Sequence, residues 1–210
     1  MKGVYLVTDE KACLGRPLEK IVEAAVKGGI SCLQLREKKA DTRSFLKTAL
    51  RLKEICQEAK IPFLINDRID IALACQADGV HLGQSDMPVQ TARKILGPEA
   101  IIGLSVESWD EVEEAETLPI DYIGVSPVFE TPTKTDTKTA WGLEGLAKIR
   151  VFSKHPLVAI GGINQTNAHE VTQAGAHSIA VVSAICSADD PAHAVECLRR
   201  QGDDPLDPIW

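Results

Sequence analysis

The stretch GGISCLQLREK, residues 28–38, completes one unit of a pattern that recurs along the chain. The preceding residues, 18–27, have helical apolar spacing, and Gly28-Gly29 ends that helix because glycine readily adopts the left-handed conformation that closes many helices. The apolar run Ile30–Leu33 then predicts a β-strand over residues 31–36. A helix, a glycine stop and a short strand therefore follow one another within about twenty residues.

The same alternation continues from end to end. Strands are predicted at residues 4–7, 31–36, 63–65, 79–82, 101–104, 122–125, 157–160 and 178–182. Helices are predicted at residues 18–27, 42–59, 69–76, 109–116, 141–152, 166–174 and 191–200, with one more beginning near Pro88. In the second helix Phe45, Leu46, Ala49, Leu50 and Leu52 are predicted to form the buried side.

Eight strands alternating with helices predict parallel βα units and an α/β fold, a single-domain (β/α)8 TIM barrel. An open doubly wound sheet would need a glycine-rich fingerprint after the first strand, where the chain has Thr8-Asp9-Glu10. We expect the barrel to occupy residues 1–201 and residues 202–210 to form a flexible tail.

Composition limits the classes of function. The 210 residues carry a formal net charge of −7, with 30 acidic against 23 basic side chains, which argues against a nucleic-acid partner. No leader pattern or apolar run of bilayer length is present, so we expect a cytosolic (cytoplasmic) protein without a membrane partner. Six scattered cysteines without a C-x-x-C pair predict reduced, mostly buried thiols. The sequence does not indicate an oligomeric state.

Polar residues collect where the predicted strands end. In a parallel barrel the carboxyl ends of all strands meet at one rim, so these residues are expected in one small volume. Gln34, Arg36 and, if the extended backbone continues, Lys38 project to one face and offer anion-binding groups, although a salt-bridged surface strand would show the same triplet. The remaining rim residues are Asn66, Asp67, Asp86, Ser105, Thr131, Thr133, Lys134, Gly161, Gly162, Val182 and Ser183.

Two carboxylates among several cations suggest a magnesium site. Asp67 and Asp86 would hold Mg²⁺, which binds few protein carboxylates and completes its octahedron with waters and phosphate oxygens. The remaining phosphate charge would go to Arg36, Lys38 and Lys134. The alternative is that Asp67 pairs with Arg68 or a helix N-terminus and that Asp86 caps the helix near Pro88.

Two further features suggest phosphate binding. Gly161-Gly162 after the seventh strand and Val182-Ser183 at the end of the eighth match the usual phosphate site of a TIM barrel, although a tight turn could also explain the glycines. The non-periodic stretch 126–140 contains Thr131–Lys134 and could be a mobile lid or a solvated linker. His81 lies between apolar neighbours in a strand, which favours a hydrogen-bonded core or rim histidine over a catalytic base.

Several of these motifs resemble the thiamine-phosphate synthase family. They are QLREK (34–38), ND (66–67), DGVHLGQSD (78–86), TPTK (131–134), AIGGI (159–163), VVSAI (181–185) and the opening YLVTD (5–9). The resemblance implies a TIM-barrel enzyme with two small-molecule substrates. The enzyme would join 4-amino-2-methyl-5-hydroxymethylpyrimidine diphosphate to 4-methyl-5-(2-phosphoethyl)thiazole, or its carboxylated form. The products would be thiamine phosphate and diphosphate.

The resemblance also implies roles for individual residues. The pyrimidine diphosphate would contact Gln34, Arg36, Lys38, Asn66, Ser105 and Lys134, of which Arg36, Lys38, Ser105 and Lys134 would be catalytic. The thiazole phosphate would contact Thr131, Thr133, Gly162, Val182 and Ser183, and Mg²⁺ would bind Asp67 and Asp86. The family usually has glycine where this chain has Ser126.

The implied mechanism is dissociative. Diphosphate leaves the pyrimidinylmethyl carbon, and the thiazole nitrogen captures the resulting cation without needing a catalytic base. Two alternatives stay open: a thiazole tautomerase-like paralogue and a non-catalytic barrel that binds a phosphate ligand. The joint presence of Asn66-Asp67, Asp86 and Thr133-Lys134 argues against the tautomerase.

Overall fold

The computed structural model describes residues 3–130 and 139–200. The strands are β1 (Gly3–Val7), β2 (Cys32–Leu35), β3 (Phe63–Asn66), β4 (Gly79–Leu82), β5 (Ile101–Val106), β6 (Tyr122–Val125), β7 (Leu157–Ile160) and β8 (Ser178–Val181). The α-helices are α1 (Leu18–Gly28), α2 (Thr42–Ala59), α3 (Ile69–Ala74), α4 (Val89–Leu96), α5 (Trp109–Ala115), α6 (Gly142–Phe152), α7 (Ala168–Gln173), α8 (Ser183–Cys186) and α9 (Pro191–Arg200).

The eight strands form a closed parallel barrel in sequence order. Each strand pairs with the next, and β8 closes the barrel against β1. The helices between the strands pack outside it, so all strand carboxyl ends lie at one rim. This confirms the predicted (β/α)8 TIM barrel.

Helix α2 shows how local sequence sets an element. The Asp41 side chain accepts hydrogen bonds from the backbone of Arg43 and Ser44, which satisfies two otherwise unpaired donors at the helix start. The buried stripe is Phe45, Ala49, Leu52 and Cys56, spaced at 4, 3 and 4 residues. The prediction that Leu50 is buried was wrong: its side chain is 45% exposed, because one residue after Ala49 is a 100° rotation away from the stripe.

Two apolar cores hold the barrel together. The larger one lies between strands and helices. The smaller one fills the barrel interior and consists of Tyr5, Val7, Cys32, Leu64, Tyr122, Val158 and Ala180. Gly103 is required beside it, because a Cβ atom there would lie 2.0 Å from Cζ of Tyr122. The Tyr122 ring therefore occupies space that Gly103 leaves open.

Several boundaries differ from the prediction. Strand β2 ends at Leu35, so Arg36 lies just beyond it, whereas β5 continues to Val106 and includes Ser105. Helix α8 and a 3-10 helix at Lys11–Cys13 were not predicted, because three or four residues are too few to show helical periodicity.

Other expectations can be compared directly. All six cysteines are free thiols and five of them are buried, as predicted. None of the described helices combines the length and apolar character needed to cross a bilayer. The tail at 202–210 lies outside the described residues, so the boundary at residue 201 stays a prediction.

Candidate active site

A cavity of about 360 Å³ opens at the carboxyl ends of the strands. Seven of the predicted site residues line it together: Gln34, Arg36, Lys38, Asn66, Asp67, Asp86 and Ser105. Among the described residues, Gly162, Val182 and Ser183 lie at the same rim, after β7 and β8, but do not line this cavity. Thr131, Thr133 and Lys134 lie outside the described residues.

The two predicted metal-binding carboxylates face the same space. Asp67 follows β3 with a left-handed backbone (φ 60°), and its Oδ2 accepts a hydrogen bond from Nζ of Lys38 at 2.6 Å. Asp86 Oδ2 accepts from the backbone N–H of Gly83 at 2.7 Å. Burial, followed by a hydrogen-bonding contact with Asp67, raises the pKa of Asp86. The two carboxyl groups therefore lie next to each other at the cavity.

The alternative structural roles of these aspartates are not observed. Arg68 binds Asp70 instead of Asp67, with Nε 2.8 Å from Oδ1. Helix α4 begins after Pro88 without a side-chain cap, so Asp86 is not its capping residue.

The two carboxylates, Asp67 and Asp86, suit a cation that needs few protein ligands. Two carboxyl groups in contact repel each other when both are ionised, and a divalent cation between them would relieve that repulsion. Within residues 3–130 and 139–200 no group of three or more acidic, histidine or cysteine side chains could hold a metal. A pair of carboxylates suits Mg²⁺, which takes its other ligands from water and phosphate.

Arg36 is held at the cavity wall by the neighbouring strand. Its backbone N–H donates to Oγ1 of Thr8 at 3.0 Å, and its Nη1 lies 3.4 Å from Oδ2 of Asp9. The guanidinium is mostly buried, with 23% of the side chain exposed. The end of β1 therefore positions the cation that follows β2, and a mostly buried charge interacts with an anion more strongly than a solvated one.

A chain of hydrogen bonds crosses the cavity floor. Nε2 of Gln34 donates to the phenol of Tyr5 at 2.7 Å, and the phenols of Tyr5 and Tyr122 are 3.0 Å apart. The Tyr122 phenol lies 2.8 Å from Nδ1 of His81, whose Nε2 lies 2.8 Å from Oγ of Ser105. Burial is the main reason that the pKa values of both tyrosines are raised well above the usual value. The prediction that His81 is a hydrogen-bonded rim histidine is confirmed.

The two tyrosines were not recognised from the sequence as part of the site. Both lie inside apolar strands, where an aromatic residue normally indicates core packing. The available signal was Gly103 and Gly124, glycines within the two neighbouring strands β5 and β6, because glycine inside a strand often marks a place where another group approaches closely.

The turn after β7 depends on its glycines. Gly161 and Gly162 have φ values of 106° and 65°. A Cβ atom on Gly162 would lie 2.8 Å from Cβ of Phe129 and 2.9 Å from the carbonyl oxygen of Glu130. The turn therefore packs directly against the segment that leads into residues 131–138. Ser126, where the resembling family usually has glycine, is buried and lines the cavity.

Comparison with known proteins identifies the family. The sequence model described as thiamine monophosphate synthase matches residues 4–185. The chain belongs to the thiamine monophosphate synthase family. A thiamine-phosphate synthase of Albidiferax ferrireducens is 57% identical over 94% of this chain and 90% of its own length, and one of Vibrio campbellii is 50% identical over 93% and 95%.

A solved structure of the same family agrees in fold. The thiamine phosphate pyrophosphorylase from Pyrococcus furiosus superposes with a TM-score of 0.87 at 42% identity, covering 95% of this chain and 94% of that one. The family assignment made from the motifs is therefore confirmed, and the chain spans nearly the whole length of these thiamine monophosphate synthase relatives.

Proposed function

We propose that the protein catalyses the thiamine-phosphate synthase reaction, joining the aminopyrimidine diphosphate to the thiazole phosphate with release of diphosphate. The family assignment supports this activity, and one structural observation is the main argument for it. Arg36 and Lys38 line the same cavity as Asp67 and Asp86, so a diphosphate and a divalent cation can be bound side by side. A tautomerase or a simple phosphate sensor has no need for this arrangement.

The residues around the cavity suit a reaction limited by departure of an anion. Negative charge accumulates on the diphosphate as its bond to the pyrimidinylmethyl carbon breaks. Arg36 and Lys38 are placed to stabilise that charge, and Lys134 is proposed to join them. Removing the Arg36 guanidinium should lower turnover on the order of a hundredfold, as for other preorganised groups that stabilise a transition state.

Magnesium is part of the proposal. When bound by Asp67 and Asp86, Mg²⁺ would supply positive charge to the diphosphate oxygens. The protein contributes two carboxylates from the loops that follow the neighbouring strands β3 and β4, with Lys38 already hydrogen-bonded to Asp67. Asn66 is proposed to contact the pyrimidine diphosphate beside them.

The second substrate is proposed to bind at the β7 and β8 end of the rim. Gly162, Val182 and Ser183 would contact its phosphate through backbone N–H groups and the serine hydroxyl, together with Thr131 and Thr133. The thiazole nitrogen attacks through a lone pair that carries no proton, so the reaction needs alignment of two substrates and no general base. A cytosolic location stays a prediction.

The test is an incubation of the protein with both substrates and Mg²⁺, with diphosphate measured directly. We expect diphosphate and thiamine phosphate in equal amounts, and neither product when one substrate is omitted. A tautomerase would convert the thiazole alone without diphosphate, and a non-catalytic binding protein would release nothing. Either result would remove the proposed function.

A further inference from the structure

Three side chains connect the two ends of the hydrogen-bonded chain on the cavity floor. We propose that Tyr5, Tyr122 and His81 are positioning residues for the pyrimidine ring. Through them, Gln34 presents a hydrogen-bond acceptor to the cavity and Ser105 presents a donor. This inference rests on the proposed synthase function and specifies how the site would distinguish the ring of its substrate.

The direction of the chain follows from its first donor. The amide N–H of Gln34 donates to the oxygen of Tyr5, so the phenol proton of Tyr5 must be donated elsewhere. Tyr122 is the better acceptor, because the Cys32 thiol that also lies beside Tyr5 accepts only weakly. Burial holds both phenols in the protonated form, so each has one proton to donate.

The same direction indicates the tautomer of His81. If Tyr122, which accepts from Tyr5, donates its own proton to Nδ1 of His81, that nitrogen is unprotonated. The neutral ring then carries its proton on Nε2 and donates to the oxygen of Ser105. The hydroxyl proton of Ser105 is left to point toward the cavity. Because Nε2 already carries a proton, His81 cannot act as a base toward Ser105, which separates this pair from a nucleophilic serine site.

Packing holds the rings of this chain in place. The His81 and Tyr122 rings are stacked with centroids 5.5 Å apart, and Tyr5 meets Tyr122 edge to face at 6.2 Å. A Cβ atom at Gly124 would lie 2.8 Å from Cε1 of His81, just as one at Gly103 would collide with Tyr122. The three side chains are therefore fixed on strands of the barrel, which suits groups that must aim other side chains accurately.

The resulting polarity matches an aminopyrimidine. With its amide N–H engaged by Tyr5, Gln34 can accept from the exocyclic amine through its carbonyl oxygen, while Ser105 can donate to a ring nitrogen. An oxopyrimidine presents an acceptor in place of the amine and would leave the Gln34 carbonyl facing another carbonyl. Sites that pair such groups reject the mismatched analogue strongly, because buried polar groups are then left unpaired.

The variant Tyr122→Phe tests the proposal, since it keeps the ring and removes only the hydroxyl that links Tyr5 to His81. We expect the KM for the aminopyrimidine diphosphate to rise about tenfold, the KM for the thiazole phosphate to stay within about twofold, and the preference for the amino over the oxo analogue to fall about tenfold. The matched control is Leu64→Val, because Leu64 belongs to the same interior core but does not line the cavity. It should lower the melting temperature and leave both KM values unchanged.

A second measurement uses the wild-type protein and requires neither activity nor a folded variant. Nitrogen-15 NMR of histidine-labelled wild-type protein should show His81 as the neutral Nε2–H tautomer. The Nδ1–H tautomer, or equal KM changes for both substrates in Tyr122→Phe, would overturn the proposal. If the wild-type protein releases no diphosphate, the proposed function fails instead, and the NMR result still reports on the direction of the chain.

Discussion

Asp86 is a partly buried carboxyl group whose ionisation is linked to folding and, in the proposed site, to metal binding. Burial and the contact with Asp67 raise its pKa in the folded state. It therefore stabilises the metal-free fold below its unfolded-state pKa, and this stabilisation is lost as pH rises through the raised folded pKa. A divalent cation favours the ionised form of Asp86, so a bound cation lowers the pKa that burial and Asp67 raise.

We therefore predict that Mg²⁺ affinity weakens as pH falls through the raised pKa of Asp86, and that binding near this pH releases a proton. Calorimetric titrations in two buffers with different ionisation enthalpies measure both quantities. Asp86→Asn should abolish the proton release, while Asp70→Asn, which changes a surface carboxylate paired with Arg68, should leave it unchanged. An affinity that does not change with pH across the acid range would contradict the prediction.

The roles of Asp67 and Asp86 can also be tested separately. Replacing either with asparagine removes one anionic ligand but keeps the side-chain size, so the Mg²⁺ concentration giving half-maximal activity should rise on the order of tenfold or more. Asp70→Asn again serves as the control and should show the wild-type titration. If Asp67→Asn and Asp86→Asn both leave that concentration unchanged, the two carboxylates do not bind the metal.

Among individual residues, the sequence predicted the site residues whose charged or amide side chains already indicate a binding or catalytic role. Charged and amide groups directly after apolar strands, such as Arg36 and Asp67, stood out by position. It did not predict the left-handed backbone at Asp67 or the pairing of Asp67 with Lys38, which joins residues 29 positions apart. Tyr5 and Tyr122 were missed because a buried phenol inside a strand looks like ordinary core until its partners are known.

Among the secondary-structure elements and turns, the turn between β7 and α7 allows the most specific prediction. Gly162→Val should raise the KM for the thiazole phosphate about tenfold and leave the KM for the pyrimidine diphosphate nearly unchanged, corresponding to a loss of about 1.4 kcal/mol in binding. The physical reason is that the added side chain collides with Phe129 and Glu130 in a turn that requires positive φ. Steady-state kinetics with each substrate varied in turn provides the measurement.

The control for this variant is Gly97→Val. Gly97 also has positive φ (88°), but its Cβ position has no atoms within 4 Å and it ends α4, away from the turn. It should destabilise the fold without changing either KM. An effect of Gly162→Val on the pyrimidine substrate alone would contradict the proposed thiazole phosphate site.

Elements with strong local signals were predicted well. Helix α5 begins at Trp109 as predicted, with Ser108 as its N-cap: the serine hydroxyl oxygen accepts from the Glu111 backbone N–H, and the Glu111 carboxylate accepts from the N–H of Glu107, one residue before the cap. Helix α8 had no such signal. It has only four residues, and it packs against α9 and against the distant 3-10 helix at Lys11–Cys13.

At the scale of the whole molecule, Arg16 connects the loop after β1 to the segment after β8 through hydrogen bonds. Its guanidinium donates to the carbonyl oxygens of Ala188 at 2.7 Å and Cys186 at 2.6 Å, and also to that of Cys13. We predict that Arg16→Met lowers the free energy of unfolding by about 2 kcal/mol, because hydrogen bonds from a charged donor to backbone carbonyls are lost. Denaturant titration measures the change.

Arg51→Met is the matched control for this prediction. Arg51 makes an exposed ion pair with Glu19, and its loss should cost less than about 1 kcal/mol. Because Cys186 ends the helix that Ser183 begins, Arg16→Met should also raise the KM for the thiazole phosphate. A loss of stability no greater than that of Arg51→Met would show that the two loops are held together by other contacts.

The alternation of strands and helices was enough to predict the closed barrel, and closure then brought seven predicted residues into one cavity. The hydrogen-bonded chain on its floor could not be predicted in this way. The Tyr5–Tyr122 contact joins residues 117 positions apart across the barrel interior, and strand order alone does not say which interior side chains touch.

The most direct test of the proposed site is a crystal structure with Mn²⁺ in place of Mg²⁺ and with inorganic diphosphate, read by anomalous scattering. The proposed site predicts one strong manganese peak bound by Asp67 and Asp86, with the diphosphate bridging from the metal to Arg36 and Lys38. A metal bound elsewhere, or a diphosphate that binds away from Arg36, would contradict it.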